Sequence, residues 1–201
     1  MYIPPAFLET DHAAISAALK NSGLANLVTM TEDGLIATPL PLLFDEAEGP
    51  YGTLYGHVAR ANPQWRLPVT GDALAIFMGP DAYVTPSWYE TKRQTGKVVP
   101  TWNYVTIHAY GRIEFFEDET RLLSLVTRLT HFHESQRADP WAVSDAPSQF
   151  IASQLRGIVG LRLPITRIEA KRKMSQNRSA EDRAGVAEGL RDTPLAGLIA
   201  P

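Results

Sequence analysis

Two prolines set inside a strand-like run, Pro39 and Pro41, constrain this chain more than any other feature. Residues 25–31 (Ala-Asn-Leu-Val-Thr-Met-Thr) have strand composition, and Glu32-Asp33-Gly34 supplies a turn into a second run from Leu35 to Phe44. That arrangement predicts an antiparallel hairpin. Proline has no N–H to give to a ladder, so the second strand must lie at a sheet edge or be kinked, with its donor side facing away from a partner.

The remaining chain continues in the same style. A first helix, capped by Thr10 or Asp11, carries Ile15, Ala18 and Leu19 on one face and stops at Gly23. After a polar loop over 45–52, Thr53-Leu54-Tyr55 reads as strand and breaks into a helix start at Asn62-Pro63. Residues 73–78 read as a buried strand ending at Gly79-Pro80, and Tyr83-Val84-Thr85 as a short one stopped by Pro86. Residues 87–99 are neither periodic nor strongly apolar and read as a surface excursion. Thr101 to Phe116 reads as a long strand bent near Gly111. Asp118 caps a helix with Leu122, Val126, Leu129 and Phe132 at helical spacing, and Pro147 starts another through Leu155. Ile158 to Ala170 forms a last long strand interrupted by Pro164. Ser179 and Thr193-Pro194 begin two short C-terminal helices. About six or seven mostly sequential strands without regular βαβ alternation predict an α+β, mainly β fold. The expected form is a small closed antiparallel barrel with peripheral helices, one domain over residues 1–201 with a helical tail from about 179.

Composition excludes several chemistries. The chain has no cysteine, which removes disulfides, thiolate nucleophiles, Cys-ligated zinc and iron–sulfur clusters. Its net charge of −3 gives no general attraction to a polyanion, and the one basic candidate is Arg167 to Arg178. No apolar run reaches the ~20 residues of a membrane span. Met1-Tyr2-Ile3-Pro4-Pro5 lacks the features of a signal peptide, so a cytoplasmic location is expected. His131 and His133 lie two apart on a helix and point to different sides, so no metal site is expected. G-x-S-x-G, Walker-type and G-x-G-x-x-G motifs are absent.

Three constellations remain for chemistry. In Gly56-His57-Val58-Ala59-Arg60-Ala61-Asn62-Pro63-Gln64-Trp65, Arg60 stands just ahead of a helix start that Asn62 can cap. A cation beside uncapped backbone donors suits a phosphate; the same residues also suit an ordinary turn with a solvated arginine. In Pro100-Thr101-Trp102-Asn103-Tyr104, strand alternation puts Trp102 and Tyr104 on one face and Thr101 and Asn103 on the other. That face suits a flat ring, a sheet core or a dimer seam. In Lys173-Met174-Ser175-Gln176-Asn177-Arg178, amides could read ring edges and Lys173 or Arg178 could meet a phosphate, or the segment is a solvated turn.

Together these stretches resemble the PaiB family, described as FMN-binding negative transcriptional regulators. The resemblance is carried by Met1-Tyr2-Ile3-Pro4 with Phe7, residues 56–65, Phe77-Met78-Gly79-Pro80, Tyr83 to Tyr89, Val99 to Tyr104, His108-Ala109-Tyr110-Gly111, and Lys173 to Arg178. They occur in the family's order and run nearly end to end. The resemblance implies a split β-barrel similar to that of pyridoxamine-phosphate oxidases, acting as a homodimer with FMN at the subunit interface. It implies that Arg60 and Asn62 hold the FMN phosphate, with His57, Gln64 and Thr38 as further contacts. Trp102, Asn103 and Tyr104 would line the ring or dimer seam, and Lys173, Ser175, Gln176 and Asn177 would close the site. DNA is the partner that the regulator description implies. A flavin-dependent oxidoreductase and a haem-binding protein using His57 or His108 are the alternative functions.

Overall fold

In the computed structural model, which describes residues 1–199, nine strands and five α-helices follow one another along the chain. They are α1 (His12–Asn21), β1 (Leu24–Thr31), β2 (Gly34–Pro41), β3 (Leu43–Asp45), β4 (Thr53–Ala59), β5 (Ala73–Val84), α2 (Glu90–Thr95), β6 (Thr101–Gly111), β7 (Glu114–Phe116), α3 (Glu119–Glu134), α4 (Ser148–Leu155), β8 (Ile158–Pro164), β9 (Arg167–Lys173) and α5 (Ala180–Gly189). The chain divides into two compact units: a larger one of Leu19–Phe77 and His108–Ile168, and a smaller one of Met1–Ala18, Met78–Ile107 and the residues from Glu169 on.

In the larger unit the hairpin forms as its prolines require. β2 pairs only with β1, Asn26 opposite Pro39 and Leu24 opposite Pro41, and β2 is the edge strand. β1 buries Ala25, Leu27, Thr29 and Thr31 on one face. On its other side β1 pairs with Leu74–Phe77 of β5. A second, four-stranded sheet runs β3-β4-β8-β7. Leu43, Phe116, Leu122, Leu125, Leu129 and Leu155 form a core under it, contributed largely by α3 and α4. Asp118 caps α3 as its sequence predicts, accepting from the Arg121 N–H at 2.8 Å.

The fold is the antiparallel split-barrel type, but the sheets are not closed into a barrel. The strand count exceeds expectation because three long strands break and change sheets, at Leu42, at Arg112–Ile113 and at Ile165–Thr166. Each break adjoins a proline or glycine: Pro41, Gly111 and Pro164. Two of these corners touch, since a Cβ on Gly111 would stand 2.0 Å from the Pro164 carbonyl oxygen. Only glycine fits there.

In the smaller unit the rest of β5, β6 and β9 are neighbours in that order. β5 does not stop at Gly79-Pro80 but continues to Val84. Its pairing with β1 ends at Phe77, so Pro80 lies where one side of the strand is no longer in that ladder and its missing donor is tolerated. The excursion over 87–99 contains α2, terminated by Gly96 in the left-handed conformation at φ 69°. Val84, Tyr89, Met174, Val186, Leu190, Leu195 and Ile199 make this unit's core. Thr193-Pro194 opens a series of turns rather than a helix, although Leu195 and Ile199 still bury their side chains.

Candidate functional site

β4 enters the first constellation antiparallel to β8, with His57 opposite Gly160. The helix expected after Asn62 is a single 3-10 turn, Pro63–Trp65. Asn62 caps it, its side-chain oxygen accepting from the Gln64 N–H at 2.9 Å, and its amide donates to Thr38 Oγ1 at 2.9 Å. The Arg66 N–H goes to the Pro63 carbonyl at 2.9 Å. One turn with its donors so used carries little helix dipole, so any affinity for an anion here comes from Arg60.

The Arg60 guanidinium donates to the Arg156 carbonyl at 2.6 Å and the Ile158 carbonyl at 3.3 Å, and pairs with Glu117. The pair is open to water, the arginine side chain being 36% and the glutamate 50% exposed. Such a pair is worth at most about 1 kcal/mol and exchanges readily for a stronger anion. The Trp65 indole N–H donates to the Arg60 carbonyl at 3.0 Å and fixes the backbone there.

His57 is largely buried and its Nδ1 has no hydrogen-bond partner. Burial holds its pKa below the usual value, so the imidazole is neutral near pH 7. Gln64 is turned into the protein, its Oε1 buried without a hydrogen-bond partner among the described residues. Fully buried, it donates to the Leu27 carbonyl, Thr29 Oγ1 and the Ile36 carbonyl at 3.2, 3.0 and 3.3 Å. It ties the turn to the hairpin.

The second and third constellations meet in the smaller unit. Asn103 is buried and its amide donates to Ser175 Oγ at 3.1 Å. Ser175 is itself buried and sits at φ 64°, a conformation serine rarely takes. These two side chains satisfy each other inside the unit. Gln176 folds back on its own backbone, accepting from the Met174 N–H at 2.6 Å and donating to the Arg172 carbonyl. Asn177 is exposed.

Trp102, 52% exposed, meets the Tyr83 ring edge-to-face at 6.1 Å. Lys173 donates to Thr101 Oγ1 and, at 2.5 Å, to the Trp102 carbonyl. β9 runs three residues past the expected strand end at Ala170, so Lys171 and Lys173 share a strand face. Lys171, which the sequence marks only as part of the basic stretch Arg167 to Arg178, thereby joins Lys173.

Among the described residues no group of three or more His, Asp or Glu side chains could hold a metal ion, and no helix is long and apolar enough to cross a membrane.

Residues 1–167 match the family model described as "Putative FMN-binding domain". The chain is 35% identical over 193 residues to the protease synthase and sporulation protein PAI 2 of Bacillus subtilis (strain 168), covering 96% of this chain and 90% of that protein. It is 32% identical over 226 residues to an uncharacterized protein of Emericella nidulans, covering 94% and 90%. Among solved structures, the flavocytochrome Anf3 from Azotobacter vinelandii superposes with a TM-score of 0.61 at 15% identity, over 89% of this chain and 75% of that one. The FAD and heme binding protein from Mycobacterium smegmatis gives 0.59 at 16% identity, over 88% and 78%.

Proposed function

Since the chain belongs to the PaiB family of FMN-binding proteins, we propose that Arg60 holds the phosphate of its FMN, with Asn62 and Thr38 beside it. The observation carrying this reading is the half-exposed Arg60 guanidinium, backed by two carbonyls and facing only an exchangeable carboxylate. A phosphate dianion offers stronger charge-assisted hydrogen bonds than Glu117 and displaces it. The orphaned Nδ1 of His57 is a second group in this unit that a ligand donor can satisfy. Gln64 acts by holding the turn in place. Trp102, Tyr104 and Lys173 are candidate flavin contacts on their own geometry. When bound, the flavin supplies reversible electron transfer; the protein binds and orients it.

The working form in this reading is a homodimer. Leu24, Met30 and Leu35 are 62%, 45% and 67% exposed on one face of the β1–β2 hairpin, with Met30 directly opposite Leu35. An exposed apolar sheet face of this kind marks an interface. The role is that of a negative regulator of transcription, as the family description implies, exerted from the cytoplasm with DNA as the affected partner. A flavin-dependent oxidoreductase is the alternative. A haem protein is the third reading, favoured by the neutral His57 and by the names of two fold neighbours.

Arg60→Met tests the phosphate assignment. FMN affinity falls by about 1–3 kcal/mol, the scale of a charged hydrogen bond, measured by flavin fluorescence titration; unchanged affinity refutes it. Gel shifts on genomic fragments that never exceed binding to random DNA at moderate salt remove direct regulation. Bound flavin that NADH and NADPH fail to reduce counts against the oxidoreductase, and no Soret shift on adding haem removes the third reading.

A further inference from the structure

α3 buries Leu122, Leu125 and Leu129 in the core of the larger unit, yet its outer side is not wholly polar. Glu119, Leu123 and Thr127 follow one another at four-residue spacing and share one stripe of the helix, where Leu123 is 41% exposed. That stripe lines a groove of about 870 Å³. Ile151 and Leu155 of α4 and Val143 of the turn before it supply the other apolar walls, and the rest of the lining is alanine, serine and glutamine. Glu119 is the one charged side chain among the lining residues. The acids around it are engaged elsewhere: Glu117 by Arg60, Asp118 by the Arg121 N–H, and Asp145 by the Ala142 N–H at 2.8 Å. The cations nearest along α3 are engaged too, Arg121 by Glu114 at 2.8 Å and Arg128 by Asp45 at 2.7 Å. Among the described residues Glu119 has no ion-pair partner.

We propose that this groove between α3 and α4 is a binding site for a small amphiphilic amine, an apolar chain or ring that ends in an ammonium group. Its volume falls within the ~300–1,000 Å³ of small-molecule sites, and its lining has their composition, apolar with a few polar groups that fix orientation. Leu123, Val143, Ile151 and Leu155 offer the ligand an apolar surface, and covering Leu123 takes a large exposed side chain out of water. Glu119 sets the sign of the charged end. A carboxylate beside an apolar groove attracts an ammonium and repels a second carboxylate, and no cation among the lining residues neutralises it. The neutral serines and the glutamine accept or donate without preferring either sign. The groove shares no residue with the FMN contacts proposed above, and the inference goes beyond that reading.

The test titrates the FMN-loaded protein with decylammonium by isothermal calorimetry, below the concentration at which the probe forms micelles, with decanoate and ethylammonium as comparison arms. Decylammonium binds saturably and at least about tenfold more tightly than either arm, since decanoate carries the wrong charge and ethylammonium lacks the chain. Glu119→Gln weakens decylammonium by about threefold or more, on the scale of a partly exposed charge pair, and does not weaken decanoate. Leu123→Asn weakens decylammonium by at least about threefold through lost apolar contact. Flavin absorbance per protein and the sedimentation coefficient stay constant on adding the probe. Wild-type decylammonium affinity in either folded variant overturns the proposal, as does decanoate bound as tightly as decylammonium. Binding that never saturates also overturns it, because that is adsorption to any apolar surface. Release of flavin by the probe would give the groove to FMN, and a changed sedimentation coefficient would give it to a second copy of the chain; each overturns the proposal. If Leu123→Asn does not fold, Glu119→Gln decides alone, at an exposed position.

Discussion

Arg60 in the larger unit and Lys171 with Lys173 in the smaller unit are cations in opposite circumstances. Arg60 has two carbonyls and a carboxylate around its guanidinium. Among the described residues, the lysines have carbonyls, a hydroxyl and aromatic rings, and no acid. The difference teaches how to weigh a basic residue as a ligand-binding group. At Arg60 an incoming anion must displace Glu117, an exposed partner worth at most about 1 kcal/mol. At the lysines the partners are neutral, so no carboxylate among the described residues stands against an incoming anion.

The strongest way to break the comparison is to disturb each unit's frame and ask how far FMN binding follows. Gly111→Ala drives a Cβ to 2.0 Å from the Pro164 carbonyl oxygen in the larger unit. Gly185→Ala does the same to the Trp88 carbonyl oxygen, at 2.0 Å, in the smaller. Both clashes are with backbone and cannot be relieved by a rotamer change. Each costs about 3 kcal/mol, the upper end of overpacking, in chemical denaturation. The first lowers FMN affinity more than the second, because Arg60 lies in the larger unit; equal loss of FMN in both contradicts the phosphate assignment.

A smaller effect comes from Ser175. Ser175→Ala leaves the buried Asn103 amide without its partner and costs about 1–3 kcal/mol. Ser175→Gly loses the same bond but suits φ 64° better, so it is about 1 kcal/mol less costly than alanine. Denaturant midpoints in the reverse order would show that the backbone there is not strained.

Local chemistry was legible in the sequence, and long-range partnership was not. The hairpin, its edge prolines, the Asp118 and Asn62 caps and the Ser179 helix start all follow from side chains acting within a few residues. Leu42 could not be read as a sheet switch, because Leu40-Pro41-Leu42-Leu43-Phe44 is one apolar run and both flanks pair as strands. Gln64 and Asn103 stand in the sequence as candidate ligand-binding amides. Their acceptors are Leu27, Thr29 and Ile36 for the first and Ser175 for the second, 72 residues away, and no spacing rule names those. Glu117, the residue that decides how available Arg60 is, is invisible for the same reason.

His57 sharpens the comparison through pH. Burial lowers its folded pKa below the unfolded value of 6.5, so the unfolded chain takes up the proton first as pH falls. The stability present above about pH 6.5 is therefore lost below it, at no more than about 1.4 kcal/mol per pH unit, until the folded histidine also protonates. His57→Gln removes this component, and the difference between the two proteins' stability–pH curves isolates it. Parallel curves for the two proteins would mean that His57 keeps its ordinary pKa in the fold.

The smallest effect bears on the Arg60 side of the comparison. Glu117→Gln keeps the shape of the Arg60 contact and removes its charge, so FMN no longer competes with a carboxylate. Affinity rises by no more than about 1 kcal/mol, roughly fivefold, because the exposed pair was weak. The gain shrinks as salt screens the original pair. A gain approaching fivefold in FMN binding makes Glu117 a gate on the Arg60 site. No gain in FMN binding would mean that the phosphate never meets Arg60.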